Sequence, residues 1–259
     1  MLKVYERIPK GLLFGARDAI TLSNHHATYF DPYIEHYGTA AVIEAARAAE
    51  LLIKAIVASH HPLLIFKDIF NLNLLDDPDL DLDSLTSKAK THDISKLPNV
   101  LWLVTAEKIQ DQELFDDLVE QRNALQHFFH HETFDVFAEK SRTLALRFIY
   151  TNLDPLLRKH FNEYAINCYE HQSDGYEYTV KQLLNRGIHF SIPDDFGLGE
   201  IDASEEILHQ SVEYKAWFSE EMARINRRDV FEFKWFLRDL CGLMGSDASA
   251  AIPDVVVGT

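Results

Sequence analysis

The sequence predicts an all-α protein: an up-and-down helical bundle followed by a smaller, mostly helical C-terminal extension. Apolar residues recur at helical spacing through most of the chain, and Asp31-Pro32 and Asp154-Pro155 both read as a capping residue followed by a helix-starting proline. Only Ile188 to Ile192 reads as a short strand.

Leu13, Ala16, Ile20 and Ala27 define a first helix over 12–29. The next runs from Tyr33 to Ser59, with Ala45, Ala49, Leu52, Ile53 and Ile56 on one face, and His60-His61-Pro62 ends it; it is the longest helix expected. Repulsion within Asp76-Asp77-Pro78-Asp79-Leu80-Asp81-Leu82-Asp83 favours a solvated loop, which lacks the central glycine and terminal glutamate of a calcium-binding loop. Leu97-Pro98 opens a segment through Ile109, and Asp111 to His131 forms a helix with Leu114, Leu118, Leu125 and Phe129 on its core face. Helices over 133–150 and 154–170 complete a bundle spanning residues 1–165. In the second region, 166–244, a short helix from Val180 to Asn185 is stopped by Arg186-Gly187, and Ser204 to Arg227 and Val230 to Met244 form a closing pair. The tail, 245–259, is rich in small residues and reads as loose.

The chain has 259 residues, of which 47% are hydrophobic, enough to bury one large core or two modest ones. Its longest apolar runs are interrupted by charges such as Glu44, Arg47, Glu50 and Lys54, so no membrane span is expected. The first residues lack the order of a secretory signal and the two cysteines, Cys168 and Cys241, cannot build a disulfide framework, which together predict a cytoplasmic protein. A net charge of −16 argues against binding long nucleic acid over the whole surface, so any such substrate must be met locally.

The local candidate is Gln121-Arg122-Asn123-Ala124-Leu125-Gln126-His127. A cation, an amide and an imidazole sit in an apolar helix pattern beside Leu118, Leu125 and Phe129, and burying them costs free energy unless each finds a partner. On a helix Asn123 and His127 share a face, so the amide can orient the ring, while Arg122 lies further around the cylinder or faces a second copy across a dimer cleft. Such a set suits metal-free RNA cleavage. His127 would take the ribose 2′-hydroxyl proton or protonate the leaving oxygen, Arg122 would fork two donors onto the phosphate, and Asn123 would fix the ring or the phosphate. DNA lacks the internal nucleophile, so the chemistry predicts RNA.

Two segments, in this order, resemble the HEPN superfamily: Ala45-Ala46-Arg47-Ala48-Ala49-Glu50-Leu51-Leu52-Ile53-Lys54-Ala55-Ile56 is similar to its early Glu-Leu-Leu-x-Lys-Ala helix, and Glu120 to His127 to its Arg-Asn-x-x-x-His segment. The resemblance covers Tyr33 to Tyr150. It implies a dimerising bundle and a metal-independent endoribonuclease of toxin–antitoxin, phage-defence or RNA-processing systems, without cofactor and with a cognate inhibitor or activator encoded elsewhere. Arg122, Asn123 and His127 would be its site residues, and Glu50 and Lys54 a structural pair or a support for Arg122. Members silenced by nucleotidyl transfer carry a tyrosine two positions after the histidine; Phe129 stands there in this chain.

Other readings compete. Arg122 pairing with Glu120, Glu50 or Asp116 would make the cluster structural, and the bundle a non-catalytic interaction module. His25-His26, His60-His61 and His130-His131, with the spacing of His127 and His131 and one Glu206-x-x-His209, suggest a metal-binding bundle; helix-end roles for these rings are the plainer account. Phe231, Phe233, Trp235 and Phe236 with Lys234 and Arg238 suit core packing or base stacking, and Arg224, Arg227 and Arg228 form the chain's one basic knot, set among Glu220, Glu221 and Asp229.

Overall fold

The computed structural model describes residues 2–29, 36–67, 89–127, 134–169, 176–193 and 204–225, with the backbone alone described at 2–5, 127, 134–137 and 204–205. The chain divides into two compact units, Met1–Thr179 and Val180–Thr259. It is an all-α helical bundle, and no helix among the described residues is long and apolar enough to cross a membrane.

In the first unit α1 (Leu2–Thr28) and α2 (Tyr37–His60) form an antiparallel pair: Gly15 faces Leu51 and the Ser23 hydroxyl donates to the Ala41 carbonyl at 2.8 Å. The five apolar positions expected on one face of α2 are fully buried, and so is every residue from Leu52 to Ala58. A helix apolar around most of its circumference belongs in the centre of a bundle, and α2 packs against α1 and three later helices. Its alanines let backbones come close. At Gly38 an added Cβ would lie 2.8 Å from the backbone of Ala138. The longest helix is α1 rather than α2, because Pro9 is accommodated inside it near its N-terminus instead of delaying its start.

A 3-10 turn (Pro62–Ile65) leads into β1 (Phe66–Lys67), which pairs antiparallel with β2 (Lys90–Thr91), a small ribbon that periodicity gave no reason to expect. The acidic run 76–83, Asp31-Pro32 and Phe129 to His131 lie outside the described residues. A second 3-10 turn (Ile94–Lys96) leads into α3 (Leu97–Thr105), which stops short of Ile109: Ala106 turns left-handed at φ 60° and its N–H closes on the Trp102 carbonyl at 2.8 Å.

Next comes α4 (Gln112–His127), the helix of the RNxxxH segment, capped by Asp111, whose carboxylate accepts the Leu114 N–H at 2.9 Å. Leu114 and Leu118 face the core as expected, whereas Leu125 is half-buried. The fifth helix, α5 (Phe134–Phe148), runs antiparallel to α4, with the Phe115 and Phe148 rings 5.9 Å apart and Gln121 bonded to Ser141.

Asp154-Pro155 does not begin a separate helix. A π-helical turn (Ile149–Leu153) joins α5 directly to α6 (Asp154–Phe161), and Asp154 has ordinary helical dihedrals. The wider turn aims Asn152 at the chain before α4, where its amide donates to the Asp111 carbonyl at 2.9 Å and its oxygen accepts the Asp111 N–H at 2.7 Å. Buried Asp154 accepts the Ala165 N–H at 2.8 Å, so it caps the following 3-10 turn (Ala165–Asn167). Left-handed Asn162 ends α6, well before Glu170. Asn24 of α1 donates to the carbonyls of Ala165 and Cys168 and accepts from Tyr150, which fastens this stretch to the bundle.

The helix α7 (Glu177–Asn185) continues into the second unit, where left-handed Gly187 stops it as expected. Among the described residues Ile188 to Ile192 forms no strand. Its carbonyls are met by side chains instead: Tyr214 donates to Ile188 at 2.7 Å and Arg224 to Ile192 at 2.5 Å. The single helix expected over Ser204 to Arg227 is broken into α8 (Ser204–Leu208) and α9 (Val212–Ile225), because the Ser211 hydroxyl accepts the Tyr214 N–H and starts a new helix. Residues 226–259, with the aromatic cluster and the tail, lie outside the described residues.

Candidate functional site

The RNxxxH segment occupies the last turns of α4. Burial is not its character. Asn123 and Gln126 are exposed and Arg122 is half-exposed, because α4 presents Leu114, Phe115 and Leu118 inward and leaves this stretch toward solvent. The Arg122 guanidinium donates to Asn123 Oδ1 at 3.1 Å, and among the described residues it pairs with none of Glu50, Asp116 or Glu120. In a chain with 41 acidic and 25 basic residues, no described carboxylate competes with an external anion for that cation. His127 closes α4, and its side chain lies outside the described residues. The Asn123 oxygen is therefore seen on the arginine; its relation to the imidazole is outside what the described atoms include.

Gln121 fixes this end of α4 by donating to the buried Ser141 hydroxyl of α5 at 2.7 Å. Beside that bond α4 and α5 border a groove of about 620 Å³, lined by Leu114 and Asp117 of α4 and by residues from Glu139 to Arg147 of α5. Sequence reading missed Ser141, Asp117 and Arg147. They lie on two helices whose mutual register no local pattern encodes, and the available signal, a charged face on each helix, is common to most exposed helices.

Glu50 and Lys54 make a structural pair on α2. Lys54 is 4% exposed, donates to Glu50 at 2.5 Å and to Thr91 of β2 at 2.9 Å, and so ties the ribbon to the central helix without reaching Arg122. Beside it, Lys67 bonds Asp93 at 2.9 Å and holds that carboxyl below its ordinary range.

The His127 side chain and the His130-His131 doublet lie outside the described residues. His61 Nδ1 accepts the Leu63 N–H at 3.3 Å at the end of α2, and His25 and His26 pack against Tyr29 and Tyr37. Among the described residues no three His, Cys, Asp or Glu side chains gather in a group that could hold a metal ion. Burial pushes the Cys168 thiol up to about 12, away from thiolate chemistry. Arg224 is committed to Glu221 at 3.0 Å within α9.

No family model, curated protein or solved structure matches the chain.

Proposed function

We propose that the chain is a metal-independent endoribonuclease of the HEPN type, acting as a homodimer under the control of a cognate inhibitor or activator, in a cytoplasmic toxin–antitoxin or phage-defence setting. What supports the reading, beside the two-segment resemblance, is a single observation: Arg122 stands half-exposed and free of any described carboxylate in a strongly acidic chain. A guanidinium so placed meets a phosphodiester with two parallel donors, where charge grows as the 2′-oxygen attacks phosphorus and the P–O5′ bond breaks. His127 takes the 2′-hydroxyl proton or returns one to the 5′-oxygen. Asn123 holds the guanidinium in its fork orientation through the bond to its Oδ1. Glu50 and Lys54 secure the central helix and the ribbon.

The test is RNA cutting in EDTA. Arg122→Ala and His127→Ala should each lower the cutting rate by about a hundredfold or more while urea unfolding stays cooperative. Undiminished cutting by either variant removes that residue from the chemistry. A purified protein that binds a partner but degrades no RNA would instead be an interaction module built on the same bundle.

A further inference from the structure

The α4–α5 groove carries an arrangement that packing alone does not need. Leu114 and Leu144 are its apolar part. Across it stand Asp117 and Arg147, both exposed, and among the described residues neither is engaged in an ion pair or hydrogen bond with the other or with any neighbour. The remaining carboxylate, Glu139, is already occupied, lying 3.5 Å from the Thr143 hydroxyl and 4.0 Å from Arg142. Lys140 adds a second positive charge to the lining. An apolar surface with one open anion and one open cation suits a ligand having a flat apolar body, hydrogen-bond donors at one end and an anion at the other. A nucleotide is such a ligand.

The base follows from the carboxylate. Guanine alone presents two adjacent donors, N1–H and N2–H, on its Watson–Crick edge, and these match the two oxygens of one carboxylate; adenine and cytosine pair a donor with an acceptor, and uracil has one donor between two acceptors. Arginine matches a phosphate in the same bidentate way. The groove, about 620 Å³ and open to solvent, has room for a ligand of nucleotide size. The groove and Arg122 share one helix: Asp117 and Arg122 are separated by about 7.5 Å of helix rise and about 140° of rotation, so a strand spanning both must wrap part of the way around α4.

The geometry points to this groove as the pocket for one unpaired guanine nucleotide of the RNA, with its Watson–Crick edge on Asp117 and its phosphate on Arg147. The inference rests on the RNA-cleaving reading and adds sequence preference to it.

The experiment uses the full chain in EDTA and short fluorescent single-stranded oligoribonucleotides that differ only in one central guanine, inosine or adenine. Anisotropy gives Kd, and gels give the cut positions. The guanine strand should bind about tenfold more tightly than the adenine strand, with inosine, which keeps N1–H and lacks the amine, between them. Asp117→Asn should erase that ratio, because an amide offers a donor and an acceptor that suit adenine where the carboxylate offered two acceptors to guanine; Arg147→Ala should weaken all three strands alike. Both residues are exposed, so neither change threatens folding. A wild-type protein indifferent to the central base, or an Asp117→Asn protein that keeps the preference, overturns the pocket while leaving Arg122-dependent cutting intact. If the wild-type protein neither binds nor cuts any strand, the nuclease reading falls and takes the pocket with it.

Discussion

Glu107 lies between α3 and α4, where its carboxylate receives Lys159 at 2.8 Å and His160 at 3.1 Å from the end of α6. Partial burial pushes its carboxyl up, but the hydrogen bonds and charges of His160 and Lys159 outweigh that and hold it below its ordinary range. A carboxyl depressed in the folded state contributes stability that is present above the unfolded value, 4.5, and is lost as pH falls through the folded one. The urea midpoint should therefore drop on acidification below about that value, and Glu107→Gln should flatten this part of the profile; parallel profiles would show that the clasp is inert. Single residues were also where the sequence misled. Arg122 stands among leucines in the chain, which suggests a buried cation, yet its bearing on α4 leaves it half in solvent. The same sequence gave no hint that Asp154 would cap a turn eleven residues away, because that bond depends on where α6 ends.

The elements were easier to read where one physical signal dominates. The apolar face of α2, its end at His60-His61-Pro62 and the stop at Gly187 follow from periodicity, proline and a left-handed glycine. Other boundaries moved for reasons that no such signal carries. Ala106 and Asn162 adopt left-handed dihedrals without being glycine, and Ile188 to Ile192 finds side chains in place of a neighbouring strand. Glycine in a helix offers a direct test of packing against propensity. Gly11 has nothing within 4 Å of the position its Cβ would take, so Gly11→Ala should stabilise the protein by about 0.5–1 kcal/mol. Gly38→Ala, which gains the same propensity, should instead destabilise by about 1–3 kcal/mol, because its methyl must displace the Ala138 backbone of α5. Equilibrium urea unfolding of both variants decides it, and a stabilising Gly38→Ala would mean that the α2–α5 contact is looser than described.

For the whole molecule, the charge of −16 sets the terms on which an anionic strand can be held. With only Arg122 and Arg147 assigned to phosphates, log Kobs for single-stranded RNA should fall against log salt with a slope of about −1.5, and Arg147→Ala should halve it. A slope several times steeper would mean a broad basic surface that this chain does not encode. The bundle itself also limits how the molecule can change. Between Phe134 and Phe161 the chain never leaves helical geometry, and the π turn at Ile149–Leu153 joins the two halves of that rod. Deleting one residue there would close the turn to ordinary α-helical spacing and, since the wide turn holds one residue more than an α turn, leave the faces beyond it nearly in phase, but it would take Asn152 off its two bonds to Asp111. The wide turn thus works as a keyed joint: side chains along it can be exchanged one by one, whereas its length is fixed.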